Sequence, residues 1–150
     1  EKLRAFAGES SVTLEMVQDM VRGSFEGQIF ALIDAVAKRD ANLTLRLLDE
    51  ERLSGAEDPY LFSMLARQVR ILLGVCDILE RQPGASKQDV AAELDLHPFV
   101  AQKAMGQARR FSKEDLIRTH KALFELDFDR KTFSHDPKMA VDMAIASFLT

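Results

Sequence analysis

Residues 58–82 read DPYLFSMLARQVRILLGVCDILERQ, and the rest of the chain is organised around this stretch. Asp58 is placed to cap the free amides of a first helical turn, and Pro59 gives up an N–H that has no partner at that position. Ser63, Arg67, Arg70, Gly74, Asp77 and Arg81 recur at steps of four and three, so they fall on one polar stripe. Leu61, Phe62, Leu65, Val69, Ile71, Leu72, Leu73, Val75, Cys76, Ile78 and Leu79 cover the remaining circumference. A helix apolar over that much of its surface belongs among other helices. Pro83-Gly84 stops it, because proline cannot extend the hydrogen-bond ladder and glycine tolerates the turn that follows.

Upstream, FEGQIFALIDAVAKR presents Phe25, Ile29, Ile33 and Val36 on one face with Phe30 and Leu32 beside it, and Ser24 is its expected cap. Asp40 is placed to cap ANLTLRLLDEERLSG. Its apolar side is expected from Leu43, Leu45, Leu47, Leu48 and Leu53, and Gly55 ends it. The turn between these two helices is very short, so they are expected to lie antiparallel as a hairpin. Residues 1–23 read as a short apolar-periodic segment through Phe6, a turn at Gly8 to Ser11, and a helix from about Leu14 to Val21 capped by Thr13. Glu1 opens inside a helical pattern with no cap before it, which suggests a piece of a longer polypeptide.

Downstream, Ser86 caps KQDVAAELD, and a tight turn at Leu96-His97-Pro98 leads into FVAQKAMGQARR. Ser112 opens the next helix, with Asp115 at the capping-box position where Glu or Gln is usual. Leu116, Ile117, His120, Leu123, Phe124 and Leu126 pattern that helix through about Asp129. Asp136-Pro137 repeats the cap-then-proline signal and starts KMAVDMAIASFLT, in which Met139, Val141, Ala144, Ile145, Phe148 and Leu149 are apolar. No segment alternates with period two for long enough to form a strand. The spacing predicts an all-α helical bundle of about eight or nine helices, with no internal repeat.

At 150 residues and 47% hydrophobic content the chain suffices for one domain with a real core, or a domain plus a fragment of a neighbour. Lys and Arg number 20 against 24 Asp and Glu, a net charge of −4, which does not suit a nucleic-acid coat or a membrane-surface binder. Contact with phosphate has to come from a local patch. The single Cys76 excludes a disulfide within the chain and reads as a buried structural thiol in a reducing compartment. No apolar run reaches the ~18 residues of a membrane span and no signal-peptide pattern is present, so a cytoplasmic location is expected.

Catalytic signals are lacking. GASK at 84–87 does not have the glycine spacing or GK[ST] ending with which a Walker loop grips phosphates. His97, His120 and His135 are scattered, without CxxC or HExxH, so no metal site and no cofactor is read. The acidic residues occupy caps and solvated faces rather than a catalytic pair, and no nucleophile elbow supports a Ser/His/Asp set. The reading is of a non-catalytic chain.

One local pattern has the outline of a binding device. Residues 86–110, SKQDVAAELDLHPFVAQKAMGQARR, give a short helix with apolar Val90, Ala91 and Leu94, a tight turn, and a second helix exposing Gln102, Lys103, Gln107, Arg109 and Arg110. A helix-turn-helix DNA-binding regulator would set such side chains on base edges. The bland alternative is two packed helices with a polar outer face. Against DNA reading, the turn has Asp95 where glycine is usual, and Glu93 adds negative charge.

The order of features carries a family resemblance across essentially the whole chain. IFALIDAV is followed by a Leu-rich helix ending in LSGAEDP, then LARQVRILL, then LHPFVAQKA and ARRFSKEDL, then ELDFDRK. Together these resemble the C-terminal part of the delta subunit of the bacterial DNA polymerase III clamp loader, with RQVRILL and QARRFS the most specific pieces. Where that family commonly reads Lys-x-Gly before the last helix, this chain has Arg130-Lys131-Thr132-Phe133.

The resemblance implies that residues 1–23 end the helical lid of an AAA+ module and that residues 25–150 form an all-helical collar that holds the subunits of a hetero-oligomeric ring. It implies the other clamp-loader subunits as partners, weak contact with primer–template DNA through the assembled loader, and contact with the sliding clamp through an N-terminal domain not included here. No membrane and no ATP hydrolysis are implied. Arg67 and Arg70, one turn apart on an otherwise buried helix, are candidates for the subunit interface, the alternative being pairing with a carboxylate such as Asp77. Arg130, Lys131 and Phe133 are candidates for DNA contact: two cations to hold phosphate beside a ring that stacks on a base, unless Phe133 tucks into the core.

Overall fold

The computed structural model describes residues 27–133 and 136–150. Among these, seven α-helices follow one another: α1 (27–37), α2 (Ala41–Leu53), α3 (Asp58–Arg81), α4 (Lys87–Leu94), α5 (Pro98–Ala108), α6 (Lys113–Phe133) and α7 (Pro137–Leu149), with no strand. Of the eight or nine helices expected over the whole chain, seven lie among the described residues. The expected segments through Phe6 and from about Leu14 to Val21 lie outside the described residues, as do Phe25 and the Ser24 cap.

Helix α3 is the hub. Leu61, Phe62, Leu65, Gln68, Val69, Ile71, Leu72, Val75 and Ile78 are buried, and the helix packs against α4, α5, α6 and α7. Burying each of the large apolar side chains contributes about 1.5–3 kcal/mol, so α3 carries much of the favourable term. Gly74, on its polar stripe, lets α4 come close: a Cβ there would meet Leu94 Cδ2 at 2.8 Å. Cys76 is only half-buried, and burial first, with Glu80 adding, raises its thiol pKa above the ordinary value, as suits an inert sulfur.

The start of α3 differs from the expectation. Its cap is Glu57, which makes no side-chain cap bond, while Asp58 lies inside the first turn. The Asp58 carboxylate instead accepts from Arg52 Nε at 2.9 Å and Nη2 at 2.7 Å. A charge-assisted fork outcompetes backbone amides, and a carboxylate in a first turn still meets the positive end of the helix dipole. Arg52 also donates to Asp142 at 2.8 Å, tying α2 and α3 to α7. Burial opposes the Arg52 charge, but the hydrogen bonds to Asp58 and Asp142 outweigh it and leave the pKa above its ordinary value.

Helix α2 faces the core differently from its leucine count. Thr44, Leu48 and Glu51 turn inward, whereas Leu45 is 50% and Leu53 88% exposed. Thr44 can be buried because its hydroxyl donates to Asp40 O at 2.7 Å. Met139, Ile117 and Phe124, read as apolar positions of their helices, are likewise exposed, because the sides of α6 and α7 that meet their neighbours run through Leu116, Thr119 and Leu123 and through Val141, Ala144, Ile145 and Phe148.

Apart from that of α3, the expected caps among the described residues are where the sequence places them. Asp40 accepts from Leu43 N at 2.9 Å, and Asp136 from Lys138 N at 3.0 Å. Ser86 and Asp89 form a reciprocal capping box, and Asp115 N donates to Ser112 Oγ at 3.0 Å. Helix ends are less obvious. Gly55, at φ 99°, closes α2, but Arg39 and Asp95 close α1 and α4 in the same left-handed region at φ 54° and 52°. There the chain wraps back through Asp40 N to Ala35 O at 3.1 Å and Leu96 N to Ala91 O at 2.8 Å, which satisfies carbonyls the helix leaves open.

Helix α6 continues a turn past Asp129, so Arg130 to Phe133 are its last turn rather than a connection before the last helix. Cations in a last turn face the negative end of the dipole. Both also reach back to Asp127, three and four residues earlier.

Candidate functional site

Helices α3 and α6 leave between them an open cavity of about 290 Å³. From α3 it is lined by Phe62, Ser63, Ala66 and Arg70, and from α6 by His120, Leu123, Phe124, Asp127, Arg130 and Lys131. The α6 residues His120, Phe124, Asp127 and Lys131 recur at steps of four, three and four, which is the spacing of one helix stripe. Sequence reasoning placed Phe124 in the core and stopped the helix before Arg130, so it did not see His120, Phe124 and Asp127 as part of a site. The stripe spacing was the available signal.

Positive charge dominates the cavity. Arg130 donates from Nη2 to Asp127 Oδ1 at 2.9 Å, and its guanidinium carbon lies 5.7 Å from the centre of the Phe62 ring. Its Nε is buried with no partner. Lys131 bonds the other oxygen of Asp127. The hydrogen bond from Lys131, together with that from Arg130, holds the Asp127 carboxyl below its ordinary pKa. Arg70 is exposed and makes no ion pair among the described residues. Three cations and one carboxylate thus line the cavity, two of the cations paired with that carboxylate. Such an arrangement can receive an anion, and the Ser63 hydroxyl in it donates to Pro59 O at 2.9 Å.

The fold therefore brings Arg70, Arg130 and Lys131 to one place, and leaves out Arg67 and Phe133. Arg67 lines, with Arg70 and the Leu94 to Leu96 turn, a second depression of about 320 Å³. Phe133 is 65% exposed, so the core alternative for its ring does not hold. Asp77, the carboxylate considered for the two arginines, is engaged by Arg81 at 3.4 Å and Lys113 at 3.3 Å.

A family description, "DNA polymerase III delta subunit, C-terminal domain", matches residues 26–148. The chain belongs to this family. It is 28% identical to DNA polymerase III subunit delta of Bacillus subtilis (strain 168) over 150 residues, covering 99% of this chain and 43% of that one. A solved structure, the DNA clamp loader delta protein of Bacillus subtilis, superposes with a TM-score of 0.79 at 28% identity, again over 99% of this chain and 43% of the other. The chain spans less than half the length of the relatives it matches.

In this delta C-terminal domain the 86–110 pair folds as α4 and α5, and of the side chains expected on its outer face Gln102, Lys103, Arg109 and Arg110 are exposed while Gln107 is not. Gln107 is 3% exposed and points inward, its Nε2 donating to Phe30 O at 2.9 Å and Asp34 Oδ1 at 3.0 Å. Arg110 pairs with Asp34 at 3.4 Å, Gln102 accepts from Lys87 at 3.3 Å, and Lys103 lies 5.7 Å from the centre of the Phe99 ring. A buried amide finds partners in the protein at a position where a base reader would need to face the groove.

Proposed function

We propose that this domain is the collar of a clamp-loader delta subunit: it joins the other loader subunits into a ring through helix faces and takes part in loading the sliding clamp onto primed DNA. The observation that carries this reading is the family match over residues 26–148, which runs through all the described helices. In this reading residues 1–23 end an AAA+ lid, residues 25–150 are the collar, and the clamp is gripped by the N-terminal part of a longer protein. The domain has no chemistry of its own; it contributes assembly to a replication complex of the cytoplasm. Arg67 and Arg70 contribute to a subunit interface, which the exposure of Arg70 permits. Arg130, Lys131 and Phe133 face primer–template DNA. The 65% exposure of Phe133 supports that role, because a ring must be open on one face to stack on a base.

The test is association. Mixed with the other loader subunits, the 150-residue chain should co-elute with them in size exclusion and bind duplex DNA weakly, with strong salt dependence and no sequence preference. A chain that dimerises alone and selects one duplex sequence would instead be the helix-turn-helix regulator, a reading disfavoured by the inward Gln107.

A further inference from the structure

We infer that the cavity between α3 and α6 is a receptor for a phosphomonoester borne next to an aromatic base, as in a free mononucleotide or at the 5′ end of a nucleic acid. The inference draws on Arg70, Arg130 and Lys131, which the collar reading also uses, but it is tested on this chain alone, so its failure and the failure of that reading are distinguishable. Charge is the first argument. Arg130 and Lys131 pair with one carboxylate, Asp127, and Arg70 lines the same cavity, so its lining groups carry an excess of two positive charges. A phosphomonoester carries about −1.5 to −2 at neutral pH, which matches that excess; an internal phosphodiester, with a single charge, does not.

Hydrogen-bonding capacity is the second argument. Asp127 is shared by Arg130 and Lys131, so neither cation is saturated by it. Arg70 brings a guanidinium fork with no ion pair among the described residues. A dianion with three acceptor oxygens can take donors from all of them, whereas a carboxylate offers fewer acceptors and half the charge. Shape is the third. The cavity of about 290 Å³ is larger than a bare phosphate requires, its floor includes Ala66 and Leu123, and Phe124 stands at its edge 69% exposed. An exposed ring beside a cation cluster suits stacking of a base attached to the phosphate.

Isothermal titration of the 150-residue chain at about pH 7.5, where the phosphate is doubly ionised, tests this without any other loader subunit. The probes are thymidine 5′-monophosphate, its methyl ester, and a thymidine tetranucleotide with and without a 5′-phosphate. The monoester should bind at least about tenfold more tightly than the methyl ester, because the ester lacks the second charge. Arg70→Gln, at an exposed position and checked for an unchanged melting midpoint, should weaken the monoester by about tenfold. Phe124→Ala should weaken thymidine 5′-monophosphate severalfold while leaving inorganic phosphate as before. Tighter binding of the phosphorylated tetranucleotide than of the free nucleotide would identify a nucleic-acid end as the source, and the reverse order a free nucleotide. Equal binding of monoester and methyl ester, no saturation below about 10 mM, or an Arg70→Gln chain that binds like the unaltered one would each overturn the inference.

Discussion

Gln68 of α3 donates from Nε2 to Oε1 of Gln107 in α5 at 2.9 Å, with both side chains buried. Gln107 passes its own Nε2 on to Phe30 O and to Asp34 Oδ1, and Arg110 closes on the same aspartate. One amide thereby joins α1, α3 and α5, and sets their register as apolar contacts alone would not.

Replacing Gln107 by leucine removes these bonds and leaves the buried Gln68 Nε2 without its acceptor. Gln107→Leu should cost about 2–4 kcal/mol in urea unfolding, because each orphaned buried group costs about 1–3 kcal/mol. Gln68→Leu combined with Gln107→Leu should cost less than the two separately, since the pair is removed together. Simple additivity would mean that the two amides are not coupled.

Leu72 is fully buried, whereas Leu53 is 88% exposed. Leu72→Ala is expected to cost about 2–5 kcal/mol through lost transfer energy and a residual cavity, and Leu53→Ala to stay within about 0.5 kcal/mol. An unchanged melting midpoint for Leu72→Ala would show that the core has been misplaced.

The leucines of α2 show where legibility ends. Periodicity located the long α3 and its buried side because nearly every apolar position there is used, and Asp40, Ser86, Ser112 and Asp136 announced their caps by side-chain chemistry. In α2, Leu45 and Leu53 are apolar yet exposed while Thr44 and Glu51 are inside, an outcome decided by which stripe meets the neighbours. Arg39 and Asp95 end helices in a conformation for which glycine is the usual sign. At the candidate site, Arg70, Arg130 and Lys131 were visible as charges. Their convergence was not, because it requires knowing that α3 and α6 lie side by side and that α6 extends to Phe133.

Glu51 is buried, and that burial, with Glu50 adding, raises its carboxyl pKa above the ordinary value. An acid that holds its proton more tightly when folded destabilises the fold above its folded pKa, and the penalty fades as pH falls toward the unfolded value of about 4.3. Glu51→Gln should therefore raise the melting midpoint at neutral pH, with the gain shrinking toward about pH 4. A lower midpoint for the variant at neutral pH would mean that the carboxylate is stabilising.

Phe133 gives the DNA proposal its clearest handle. Phe133→Ala should weaken primer–template binding by the assembled loader by about 5–150-fold, corresponding to about 1–3 kcal/mol for one stacked base, and should leave the stability of the domain within about 0.5 kcal/mol. Unchanged primer–template affinity would remove the stacking role.

The collar assignment is tested most directly by assembling the loader with a full-length delta subunit carrying this domain, and with one from which residues 27–150 are deleted, then weighing the complexes by native mass spectrometry. It predicts that intact delta enters the ring and that the shortened subunit is missing from it. Incorporation of the shortened subunit at the stoichiometry of the intact one would contradict it.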